Sequence, residues 1–96
     1  MKVLELGKEI YVDLILSLQD YHKLLPYGEA KTTVDACINT IKRAEWNNIV
    51  LLAEGQLATV VDVLTAYGEL DATQSKHMQA LVTSIVLASH DGAISQ

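Results

Sequence analysis

The chain has no phenylalanine, one tryptophan, one proline and one cysteine among its 96 residues. A lone cysteine, Cys37, excludes a disulfide scaffold and a zinc ribbon, both of which need thiols in sets. One proline and five scattered glycines exclude collagen-like and Pro/Gly-rich disordered chains. Bases are also scarce: seven Lys and Arg stand against twelve Asp and Glu, giving a formal charge of −5 and a pI near 4.9. A phosphate backbone repels such a chain, so no nucleic-acid partner is expected. Long apolar runs are missing too. The longest stretch without Asp, Glu, Lys or Arg covers residues 77–90 and includes polar side chains, whereas a membrane-spanning helix needs about 20 predominantly apolar residues. No membrane partner is expected. Charges at Lys2, Glu5, Lys8 and Glu9 interrupt the core of any secretory signal, which favours a cytoplasmic location.

What the chain does have is aliphatic bulk. Half of its residues are apolar and the mean hydropathy is +0.22, so the core must be built from Leu, Ile, Val and Ala. The length suits one domain, read as residues 1–92 followed by a frayed tail over 93–96. A chain of this mass buries roughly 60 to 65% of the surface its unfolded form exposes. Apolar residues are left over, and the surplus points to a partner.

Periodicity predicts an all-α fold, a small antiparallel bundle of three to four helices. Leu4, Tyr11, Leu14, Leu18, Tyr21 and Leu25 fall on three- and four-residue steps broken only at Gly7, which predicts a first helix over residues 3–25. The segment Pro26-Tyr27-Gly28 then turns the chain. Ala30, Val34, Cys37, Ile38, Ile41 and Ala44 carry a second helix beginning near residues 29–33. Whether residues 29–67 form one kinked helix or two is left open by Asn47, Asn48 and Gly55. A β reading competes here, because Val60, Val61 and Val63 are β-branched and residues 49–52 form a short apolar run. Leu57, Val60, Val61, Leu64 and Tyr67 mark the next helix, with Gly68 as its expected C-cap. Asp71 and Gln74 have capping-box spacing before a last helix carrying Met78, Leu81, Val82, Ile85 and Ala88, which Asp91-Gly92 is expected to stop.

Residues that carry chemistry are sparse. His22, Cys37, His77 and His90 occur without HxxxH, CxxC or ExxH spacing, so no metal ligand set is expected. Cys37 falls on the apolar face of its helix, no serine sits in a glycine elbow, and the glycines form no phosphate cradle. No catalytic residue, metal or cofactor is assigned, and the chain is read as non-enzymatic. Residues 56–79 resemble a helix-turn-helix in outline. They carry Asp62, Glu69 and Asp71 against Lys76 alone, and a DNA reader needs a basic face.

The informative residues are those in excess. Val12 and Leu16 interrupt the polar stripe of the first helix, and Tyr11 and Trp46 are rings of the kind that anchor interfaces. These four are the expected interface. Glu5, Glu9 and Asp13 repeat at four-residue spacing and are expected to form an acidic ridge on the first helix, suited to a basic surface on a partner protein. The expected function is therefore that of a small acidic adaptor or inhibitor masking another protein. In composition the chain is similar to phage and mobile-element regulators, including those that block host defence nucleases. Because the first helix is apolar on two sides, the bundle is expected to be a homodimer or higher oligomer with that helix in the interface. The alternative function is that of a structural subunit acting through this oligomer, with the first helix as the seam. A small enzyme or metal-binding protein is the third reading.

Overall fold

The N-terminal residues Lys2-Val3-Leu4-Glu5 form a strand, not the first turn of a helix. A computed structural model of the chain describes residues 2–43 and 49–94, with side chains over 2–43 and 49–89. The order is strand β1 (Lys2–Glu5), helix α1 (Lys8–Leu24), helix α2 (Glu29–Lys42), strand β2 (Ile49–Leu52), helix α3 (Glu54–Leu70), a 3-10 turn at Ala72–Gln74 and helix α4 (Ser75–Ile94). The fold is mostly α, as periodicity predicts, with a two-stranded sheet: the competing β reading holds at Ile49–Leu52 but not at Val60, Val61 and Val63, which lie in α3, and β1 falls where periodicity predicts a helix.

The sheet accounts for the main departure. β1 and β2 pair antiparallel, with Leu4 opposite Val50 and Val3 opposite Leu51. Side chains alternate across a strand, so Leu4, Val50 and Leu52 are buried while Ile49 and Leu51 are about half exposed. Leu4 and Leu6 thus belong to a period of two that ends at Gly7, and the expected helix over residues 3–25 loses its first turn. Gly7 is extended (φ −64°, ψ 158°) and its carbonyl accepts from Tyr11 N–H at 2.9 Å, which opens α1. β2 also separates α2 from α3, so residues 29–67 are two helices. The β-branched residues Ile49 and Val50 fit the pleated surface.

Pro26 and Gly28 turn the chain between α1 and α2, and Gly28 takes φ 153°, a conformation open to glycine at little cost. α3 runs past its expected end at Gly68. α4 passes close to it there: a Cβ on Gly68 would lie 3.2 Å from Met78 Cβ, a tight contact, and 3.5 Å from Ser75 Cα, an ordinary one. Asp71 does cap the next turn, accepting from Thr73 N–H at 3.0 Å and Thr73 Oγ1 at 2.6 Å. Gln74 does not close the box; its Oε1 lies 3.0 Å from His77 Nδ1. α4 continues through Asp91-Gly92 to Ile94. The core joins Leu14 and Leu18 of α1, Ile38 and Ile41 of α2, Val60 and Leu64 of α3, Leu81 and Ile85 of α4 and the inner face of the sheet. Gln56 stitches α3 to α2, accepting from Ala53 N–H at 3.3 Å and donating to Thr40 Oγ1 at 3.0 Å. Among the described residues, no helix is long and apolar enough to cross a membrane.

Candidate protein-binding surface

α1 turns two unlike faces to its surroundings because its apolar residues exceed a single stripe. Tyr11, Leu14, Ser17 and Leu18 point inward and are buried. Val12 and Leu16, one turn apart on the outer side, are 43% and 53% exposed. Together with Lys8, Glu9 and Asp13 they line a shallow cleft of about 410 Å³. Side chains four apart on a helix are neighbours, so the two aliphatic groups form one apolar strip with charges of both signs beside it. Covering such a pair releases water from both, and full burial of one aliphatic side chain is worth about 1.5 to 3 kcal/mol.

The remaining expected site residues separate. Tyr11 is 7% exposed and its hydroxyl donates to the Ile41 carbonyl at 3.1 Å, joining α1 to the last turn of α2. It is a core residue, placed there because its ring continues the inward stripe while its hydroxyl finds a backbone acceptor. Trp46 lies outside the described residues. The acidic ridge does not form on one helix: Glu5 belongs to β1, where the four-residue helical step has no meaning, and only Glu9 and Asp13 share α1. Asp13 Oδ2 is held 2.7 Å from His77 Nε2 on α4.

Burial pushes the Cys37 thiol above its ordinary value, which keeps it protonated and a poor nucleophile. Its Sγ lies 4.0 Å from the Gln56 carbonyl, consistent with a small packed side chain. Desolvation, then the carboxylates of Asp20 and Asp71, push the Tyr67 phenol up. His22 Nε2 lies 4.0 Å from Asp35 Oδ1, and its place in the last turn of α1 suits the helix dipole. Among the described residues, no three His, Cys, Asp or Glu side chains come together as a metal site.

Sequence reasoning missed a groove between α1, α2 and α3, lined in part by Tyr21, Val34, Asp62 and Val63. It is assembled from three helices, so no linear pattern announces it. The nearest signal is Asp62, a charge set among Val60, Val61, Val63 and Leu64. No protein-family model, curated protein or solved structure matches the chain.

Proposed function

We propose that the chain is a non-enzymatic protein-binding module, an adaptor or an inhibitor that masks a partner, and that the outer face of α1 is its docking surface. The observation that carries this reading is the exposure of Val12 and Leu16, side by side on a helix whose opposite face already fills the core. A helix with one buried face and a second apolar strip in water gains stability when that strip is covered. Lys8, Glu9 and Asp13 around it supply a polar rim, the usual border of an apolar interface centre. The partner is a protein with an apolar recess bordered by charge. The excess of acid over base favours partners with a basic surface. Kinship of role with phage and mobile-element regulators is part of the same proposal and rests on composition.

The chain itself is the other candidate occupant, because a two-fold axis beside α1 would set Val12 and Leu16 of one copy against those of another. The Val12→Glu/Leu16→Glu variant tests both readings. Both positions are exposed, so the variant should keep the helical circular dichroism of the parent. Under the masking reading the parent is a 10.5 kDa monomer by light scattering, and one identified partner copurifies with it and not with the variant. Under the assembly reading the parent has a multiple of that mass and the variant dissociates. A folded variant that retains the parent's partner and mass removes α1 from the account.

A further inference from the structure

The groove between α1, α2 and α3 has a volume of about 540 Å³ and opens to solvent. Its floor is apolar: Val34 and Val63 are buried at its base, and Leu25 is partly buried beside them. Its charged lining side chains are both carboxylates, Glu29 on α2 and Asp62 on α3. Two threonines add to the same character. Thr33 Oγ1 spends its proton on the Glu29 carbonyl at 2.9 Å, and Thr59 Oγ1 spends its proton on the Gly55 carbonyl at 2.9 Å, so each hydroxyl has only lone pairs left to offer. Tyr21 also lines the groove, its ring centroid 6.2 Å from that of Tyr67. Lys31 does not line the groove; at its edge, the Lys31 Nζ donates to the Leu25 carbonyl at 3.2 Å and sits 5.3 Å from the Tyr27 ring centroid.

We propose that this groove docks a basic amphipathic segment of a partner protein. The segment's aliphatic groups lie on Leu25, Val34 and Val63, and one or more Lys or Arg side chains reach Asp62 and Glu29. The match is one of charge and hydrogen-bond sense. An acidic segment would meet two carboxylates and two hydroxyls with no proton to give. A Lys or Arg stem supplies apolar contact along its length and donors at its tip. The site shares no residue with the Val12/Leu16 strip and stands without it.

The test is a titration of the full chain, followed by backbone-amide NMR, with a synthetic amphipathic helix of Leu and Lys and with the same peptide bearing Glu for each Lys. The Lys peptide should shift Tyr21, Thr33, Thr59 and Val63, and the Glu peptide should not. Asp62→Lys, an exposed position on α3, should weaken binding by about fivefold or more. Glu69→Lys makes the same change in net charge outside the groove and should weaken it by less than about twofold. Glu29→Gln provides a milder second variant with the same direction. Val12→Glu/Leu16→Glu should leave the titration unchanged, so the two surfaces fail or succeed separately. The proposal is overturned if the Lys peptide does not bind, if its shifts fall outside the groove, if the Glu peptide binds equally, or if Glu69→Lys weakens binding as much as Asp62→Lys.

Discussion

Asp13 on α1 and His77 on α4, 64 residues apart in the sequence, meet with 2.7 Å between Oδ2 and Nε2. Gln74 Oε1 lies 3.0 Å from the other ring nitrogen, so the imidazole is held from both sides. The bridge links α1 to α4. Both partners are partly exposed, with side-chain exposures of 31% and 47%, which keeps the interaction modest. A double-mutant cycle of Asp13→Ala and His77→Ala, read by urea unfolding, should give a coupling of about 0.2 to 1 kcal/mol. Strictly additive losses would contradict the bridge.

Tyr11→Phe should lower stability by about 0.5 to 1.5 kcal/mol, because the hydroxyl that donates to the Ile41 carbonyl is lost inside the core. The same variant should bind the partner as the parent does. A binding defect with unchanged stability would return Tyr11 to the interface.

Gly68→Val places a branched side chain where even a Cβ comes within 3.2 Å of Met78 Cβ. Overpacking of this kind typically costs about 1 to 3 kcal/mol, and the thermal midpoint should fall accordingly. A midpoint equal to that of the parent would show that α3 and α4 can part at no cost.

Cys37 and Tyr67 both hold their protons more tightly in the folded chain than their ordinary values of 9.0 and 10.0 imply. Above those values the unfolded chain releases protons that the native chain retains, so stability contributed by each group is present below its ordinary value and is lost as pH rises through the raised one. The urea midpoint should therefore decline on the alkaline side of about pH 9, and Tyr67→Phe should make the decline shallower. Alkylation of Cys37 in the native chain should be slow and should speed up once urea unfolds it. Rapid native alkylation would contradict its burial.

Much of the helical framework was legible because each helix repeats its apolar residues at three and four. Val12 and Leu16 were legible for the same reason, as breaks in a polar stripe. β1 was not, because Leu4 fits both a period of two and a period near 3.6, and its partner strand lies more than 40 residues further along. That ambiguity also produced the acidic ridge, which exists only if Glu5 is helical. Tyr11 was misplaced since its ring and hydroxyl suit an interface and a core equally; only the position of the Ile41 carbonyl decides. Gly68 was read as a helix end, whereas α3 continues past it and packs it closely against Met78, a contact invisible in one dimension. The groove under Asp62 and Tyr21 depends on three helices meeting, and no segment of the chain contains it.

On the proposed function, the outer face of α1 binds a protein partner and contributes little to the fold. The most direct measurement is the affinity of the parent and of Leu16→Ala for the captured partner by calorimetry, alongside the urea midpoint of each. Leu16 is more than half exposed, so the midpoint should be nearly unchanged, while Kd should rise by about tenfold or more, the loss of about 1.4 kcal/mol typical of an interface anchor. Equal affinities for the two proteins would contradict the account.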